Sequence, residues 1–68
     1  MTVMITGTFA TEAAVRNASQ DLHGIGIPGE KIFVDKGACE IRVAIPEATS
    51  REVKEILKRH EATRITDA

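Results

Sequence analysis

Residues 31–46 read KIFVDKGACEIRVAIP and lie in the middle of the chain. Apolar and polar side chains alternate along both halves of this stretch, and the alternating apolar residues are Ile32, Val34, Cys39, Ile41, Val43 and Ile45. A period of two is typical of a β-strand that buries one face. Lys36 and Gly37 supply a turn between the halves, and Pro46 ends the second. The stretch therefore predicts a β-hairpin, with strands over Lys31–Asp35 and from Cys39 onward.

An amphipathic helix is predicted before the hairpin, over Glu12–His23. Its apolar positions recur every three or four residues, at Ala14, Val15, Ala18, Leu22 and Ile25. Thr11 stands where its hydroxyl can cap the first turn. We expect Gly24 to adopt the left-handed conformation that ends a helix, with Ile25 completing a Schellman motif.

A second helix is predicted after the hairpin, because residues 49–52 read TSRE. This order is typical of a capping box, in which the Thr49 hydroxyl and the Glu52 carboxylate each accept from a backbone N–H of the first turn. Val53, Ile56 and Leu57 then fall on one helix face and predict its buried side.

Two further strands are predicted at the ends of the chain. Residues Thr2–Thr8 alternate about Val3 and Ile5, and Ala62–Asp67 has room for a short strand with Ile65 as its core residue. The order β-α-β-β-α-β is that of the ferredoxin-like split β-α-β pattern. We therefore predict one α+β domain over residues 1–68, with a four-stranded antiparallel sheet in the order four, one, three, two and two helices on one face.

The core predicted from these periodicities contains Val3, Ile5, Val15, Ala18, Leu22, Ile32, Val34, Ile41, Val43, Val53, Ile56, Leu57 and Ile65. The opposite face of the sheet is expected to stay open unless a partner covers it. Met4, Phe33, Arg42 and Ala44 are predicted on that open face. Met4 and Phe33 make it a candidate interface with another copy of the chain or with another protein.

Composition excludes several classes of function. The chain has 9 Lys and Arg against 10 Asp and Glu, a net charge of −1, and this balance argues against a nucleic-acid partner. No apolar run approaches the roughly 20 residues that span a bilayer, so no membrane partner is expected. The single cysteine cannot form an internal disulfide, and we therefore expect a cytoplasmic protein.

Catalytic and metal chemistry have weak support in the sequence. Cys39 and His60 are predicted at the same end of the domain, with Asp35 or Glu61 nearby, but zinc sites usually need three or four ligands. The alternative, purely structural interpretation is that Cys39 packs as a small apolar residue and His60 is solvated at a helix end. We therefore predict no catalytic residues, no metal, no cofactor and no enzyme activity.

The loop between strand one and helix one is the alternative candidate site. Thr6, Gly7, Thr8 and Thr11 lead into a helix N-terminus, where free N–H groups favour an anion, and Gly7 would allow close approach to the backbone. These residues predict a small-molecule or anion-binding regulatory domain. A glycine at this position is more often a packing accommodation.

The chain resembles a family of small bacterial domains. Ile5-Thr6-Gly7-Thr8-Phe9, an alanine-rich helix, Gly26-Ile27-Pro28-Gly29-Glu30-Lys31-Ile32 and residues 53–62 (VKEILKRHEA) are similar to heat-induced or general-stress-protein domains. This resemblance implies a bacterial ferredoxin-like domain of unassigned biochemical activity and supplies no catalytic residues. The strand order and the Gly7 loop are also similar to those of ligand-binding regulatory domains.

Overall fold

A computed structural model describes residues 1–67 and has the predicted order of elements. The strands and helices are β1 (Thr2–Thr8), α1 (Glu12–Gly24), β2 (Ile32–Asp35), β3 (Glu40–Pro46), α2 (Ser50–Arg59) and β4 (Arg64–Asp67). Short 3₁₀ helices at Gly29–Lys31 and Glu47–Thr49 precede β2 and α2. The strands form one antiparallel sheet in the order β2-β3-β1-β4. The predicted α+β fold with a ferredoxin-like arrangement is confirmed.

The register of the sheet separates its two faces. Ile5 pairs with Val43, which also pairs with Ile32 on the other side. Side chains of directly paired residues point to the same face, so these three share the face that the helices cover. Met4 pairs with Ala44 on the opposite, open face.

One hydrophobic cluster forms the core. Its buried members are Ile5, Phe9, Val15, Ala18, Leu22, Ile27, Ile32, Ile41, Val43, Ile45, Val53, Ile56 and Leu57. Val3 and Ile65 pack against this cluster but are only partly buried. The prediction that Val34 lies in the core is wrong, since the side chain is 43% exposed. Val34 points toward the helix side, but it lies on an edge strand that α1 leaves partly uncovered.

Helix α1 begins as predicted, because the Thr11 hydroxyl accepts a hydrogen bond from the Ala14 N–H at 3.1 Å. The predicted ending is wrong. Gly24 is the last helical residue, and the left-handed residue is Gly26, with φ of +97°. The Gly26 N–H donates to the His23 carbonyl at 3.0 Å and the Ile27 N–H to the Leu22 carbonyl at 3.3 Å. These bonds are those of a Schellman motif with buried Ile27 as its apolar closing residue.

The predicted capping box of α2 is also wrong. Thr49 has helical backbone angles and makes no side-chain cap bond, because a 3₁₀ helix runs directly into α2. The Ser50 hydroxyl instead donates to the Glu47 carbonyl at 2.8 Å. The helical segment that contains α2 therefore begins with the 3₁₀ turn after Pro46 and not with a side-chain cap at Thr49.

The turn between β2 and β3 is longer than predicted. Cys39 lies in the turn rather than in β3 and has a φ of +50°. The Ala38 N–H donates to Asp35 Oδ1 at 3.2 Å, and the Cys39 N–H donates to the Lys36 carbonyl at 3.3 Å. At the start of the hairpin, Lys31 belongs to the 3₁₀ helix and β2 begins at Ile32.

Strand β4 is held at both ends. The Thr63 N–H donates to the Thr8 carbonyl at 2.8 Å, and Lys54 Nζ lies 2.7 Å from Asp67 Oδ2. The hydrogen bond and the positive charge of Lys54 hold the pKa of the Asp67 carboxyl below its ordinary value. Among residues 1–67, no helix has the length and apolarity that crossing a bilayer requires.

Candidate interaction surface

The open face of the sheet brings together the four residues predicted for an interface. Met4 on β1 pairs with Ala44 on β3, and Phe33 on β2 pairs with Arg42 on β3. Directly paired residues have Cβ atoms roughly 4.5–5.5 Å apart, so these pairs are neighbours on one surface. Met4 and Ala44 are partly buried, whereas Phe33 is 52% exposed. The most exposed apolar side chain of this group therefore lies at the β2 margin of the face.

Charged groups lie beside the apolar residues of this face. Arg42 Nε lies 3.0 Å from Glu40 Oε1, and the two side chains are 54% and 24% exposed. An exposed ion pair of this kind contributes little to stability, roughly 0–1 kcal/mol, and it leaves both charges accessible to a partner. A shallow depression of about 560 Å³ runs between these groups and is lined by Met4, Phe33, Val34, Asp35, Lys36 and Arg42.

Strand β2 exposes apolar side chains on both of its faces. Phe33 points to the open side of the sheet, and its neighbour Val34 points to the helix side. Val34 contributes to a groove of about 380 Å³ between β2 and α1, where Val15 and His23 line the helix wall. Sequence periodicity missed this exposure of Val34, because alternation identifies a strand face and does not show whether a helix reaches it.

The predicted ligand loop is divided between the two faces of the sheet. A Cβ atom on Gly7 would lie 3.0 Å from Leu57 Cδ1 on α2, so the glycine makes room for that side chain. Thr6 and Thr8 lie on the opposite face. Thr11 uses its hydroxyl to cap α1. The structure therefore does not gather these four residues into one site, and ligand binding by this loop stays a prediction.

The candidate metal residues have other contacts. His60 Nε2 lies 2.5 Å from Asp21 Oδ2, a contact that joins the end of α2 to α1. Cys39 Sγ lies 3.8 Å from the Lys36 carbonyl oxygen within its own turn. In the part of the chain that the structure describes, residues 1–67, no group of three or more His, Cys, Asp or Glu side chains is placed to hold a metal ion.

Comparison of the chain with family models, with curated proteins and with solved structures found no match. The resemblance to bacterial stress-protein domains therefore stays a prediction. The structural support for a functional surface is the presence of half-exposed apolar residues at the margin of the open sheet face.

Proposed function

We propose that the protein is a non-enzymatic protein-interaction module that associates with a second copy of itself through the open sheet face. The observation that carries this proposal is the 52% exposure of Phe33 beside Met4 and Arg42 on one continuous surface. Removing an aromatic ring from water is favourable, and aromatic side chains are enriched where proteins meet. Phe33 is therefore the main apolar contact in this proposal, at the β2 margin of the face.

Charge and size also support self-association. The net charge of −1 gives little repulsion between copies, and the Arg42–Glu40 pair presents charges of both signs. A small domain buries a modest share of its unfolded surface, so it gains stability from any further surface that a partner covers. A reducing cytoplasm suits the protein, because Cys39 has no second cysteine with which to pair in the chain.

The substitution Phe33→Glu tests this proposal. A carboxylate at the contact would have to lose its water on association, and this cost is large for a charge that gains no partner. We expect sedimentation equilibrium to show a dimer for the wild type at high protein concentration and a monomer for the variant. Circular dichroism of both proteins checks that the variant is folded.

Asn17→Glu is the matched control, since it adds the same charge at an exposed position of α1 away from the open face. We expect this variant to dimerise as the wild type does. A wild type that remains monomeric at millimolar concentration would contradict the proposal, as would a Phe33→Glu variant that dimerises with unchanged affinity.

A further inference from the structure

Strand β2 is an edge strand, and a partner that lies along this edge would cover apolar groups on both faces of the sheet. Within residues 1–67, β2 pairs with β3 alone, and Phe33 and Val34 remain 52% and 43% exposed on its two faces. A partner stacked on the open face would cover Phe33 and leave Val34 in water. A strand added beside β2 would contact both side chains and would also use the backbone groups that the edge leaves unpaired.

We propose that two copies pair antiparallel along β2, with Phe33 opposite Phe33, so that their sheets join into one. This inference rests on the proposed self-association and moves its contact from the open face itself to the β2 edge of that face, where Phe33 lies. The open faces of the two copies then lie side by side. The contact is at the β2 margin of the face, and Arg42 stays in water rather than being buried against a second Arg42.

The charges around Phe33 favour this register. Residues 30–36 read EKIFVDK, and the signs of the charges reverse about the central phenylalanine. Antiparallel pairing centred on Phe33 sets Lys31 opposite Asp35 of the second copy. The two-fold symmetry repeats this contact. Lys31 directly precedes β2, whereas Glu30 lies within the 3₁₀ helix and Lys36 within the turn, so these two charges are outside the paired strand. Opposite charges on directly paired residues stabilise a sheet, whereas like charges destabilise it.

The apolar residues match in the same register. Ile32 lies opposite Val34 of the second copy, so the half-exposed Val34 gains an apolar neighbour on the helix side of the sheet. The two Phe33 rings meet on the open side, where an aromatic cross-strand pair contributes stability. Apolar side chains of the two copies therefore meet on both faces of the joined sheet.

Other registers lose these matches. Pairing centred on Val34 would set Phe33 opposite Asp35 and Ile32 opposite Lys36. Pairing centred on Ile32 would set Phe33 opposite Lys31. A parallel arrangement in register would place like charges beside each other at every charged position. The pattern of residues 31–35 thus favours the antiparallel register about Phe33.

The contact is small, because β2 has only four residues, Ile32–Asp35. Lysines beside an edge strand commonly discourage uncontrolled pairing, and here Lys31 and Lys36 flank β2. In the proposed register Lys31 meets the carboxylate of Asp35 of the second copy, so a charge that discourages other partners is matched in this pairing. We expect an interface at the low end of size, below about 1,200 Å² in total, and therefore weak, reversible dimers.

Two charge reversals test the register, Asp35→Lys and Lys31→Glu. Both side chains are exposed and neither takes part in the ion pairs found within residues 1–67. Asp35→Lys also removes the hydrogen bond from the Ala38 N–H, so circular dichroism checks that this variant is folded. Each variant alone would set like charges opposite each other twice in its homodimer. We expect each to dimerise about five- to tenfold more weakly than the wild type, the effect of losing two exposed ion pairs. In an equimolar mixture, every such contact in the heterodimer joins opposite charges, and the affinity should return to within about twofold of the wild-type value.

Arg51→Glu and Glu55→Lys are the matched controls, because they make the same changes of net charge at exposed positions of α2. Sedimentation at physiological ionic strength should show no preference of these two variants for each other. A wild type that is monomeric at millimolar concentration would overturn both the self-association and its geometry. A wild-type dimer that Phe33→Glu dissociates, but in which mixing the Asp35 and Lys31 variants restores nothing, would overturn the edge register alone.

Discussion

Gly26 takes a backbone conformation that side chains with a Cβ atom rarely adopt, with φ of +97°. An alanine there would be strained by roughly 1–2 kcal/mol, because its Cβ crowds the following carbonyl oxygen. Gly24 lies two positions earlier in an ordinary helical conformation, with open space where a Cβ would stand. A Cβ atom is therefore unfavourable at Gly26 and tolerated at Gly24, although the two glycines lie in one short segment.

We predict that Gly26→Ala destabilises the protein by about 1–2 kcal/mol, whereas Gly24→Ala stabilises it by about 0.4–1 kcal/mol. Gly24→Ala is stabilising because alanine lowers the conformational entropy of the unfolded chain and has a higher helix propensity than glycine. Urea denaturation of both variants measures the difference. A result in which Gly24→Ala is the more damaging change would mean that the helix ends at Gly24 after all.

The two threonines predicted as helix caps also differ in the structure. Thr11 accepts a hydrogen bond from Ala14, and we predict that Thr11→Ala costs about 1 kcal/mol of unfolding free energy. Thr49 makes no such bond, so Thr49→Ala should change stability by less than about 0.5 kcal/mol. Thermal melts of the two variants provide the comparison. Equal losses would show that Thr49 caps α2 in solution.

These residues show where local sequence patterns are ambiguous. Thr-Ser-Arg-Glu at 49–52 has the order of a capping box, but a 3₁₀ turn after Pro46 already supplies the preceding helical geometry. Gly24 and Gly26 are both plausible ends for α1. The choice depends on whether Ile25 or Ile27 can be buried, and that depends on the tertiary fold rather than on the local chain.

At the scale of the elements, the hairpin of β2 and β3 places a core residue opposite a surface residue. Ile41 is fully buried, and its paired neighbour Val34 is 43% exposed. We predict that Ile41→Ala costs about 2–5 kcal/mol, since it leaves a cavity in the core. Val34→Ala should cost less than about 1 kcal/mol, because the side chain is 43% exposed at a sheet edge and its removal leaves no enclosed cavity.

Chemical denaturation at micromolar concentration measures both values in the monomer. At higher concentration the Val34 variant should lose more, because the proposed second copy covers that side chain. A loss from Val34→Ala as large as that from Ile41→Ala, at low concentration, would place Val34 in the core.

Strand β2 also shows why exposure is harder to predict than strand position. Alternation correctly predicted that Ile32 and Val34 share one face, and Ile32 is buried as expected. Val34 is not, because the sheet order places β2 at the edge and α1 covers only part of it. Coverage depends on how far a helix extends across the sheet, which periodicity along the chain does not encode.

At the scale of the whole molecule, the sequence predicted the element order, the sheet order and most of the core. Each helix and strand has a clear apolar period, and the connections leave few ways to join them. Three buried residues were left out of the predicted core, Phe9, Ile27 and Ile45. Phe9 and Ile27 lie outside the helices and strands, where no periodic pattern applies, whereas Ile45 continues the alternation of β3. The four open-face residues were correctly grouped, since β-alternation alone places them together.

The assembly proposed for the whole molecule follows from its small size. A sheet with one covered face and an open edge at β2 leaves Phe33 and Val34 partly in water, and a small core gives little stability to spare. Pairing two copies along β2 covers both residues without burying an unpaired charge. Function as an interaction module would then depend on concentration, with association coupled to stability.

The most direct test of self-association at this margin is a dilution series of the isotope-labelled wild type, followed by amide NMR shifts from millimolar to micromolar concentration. We predict that the signals of Phe33 and Val34 move with concentration and fit one dimer dissociation constant. The signal of Arg51, on the far helix, should stay in place. Amide signals of β2 that do not move over the whole range would contradict the account.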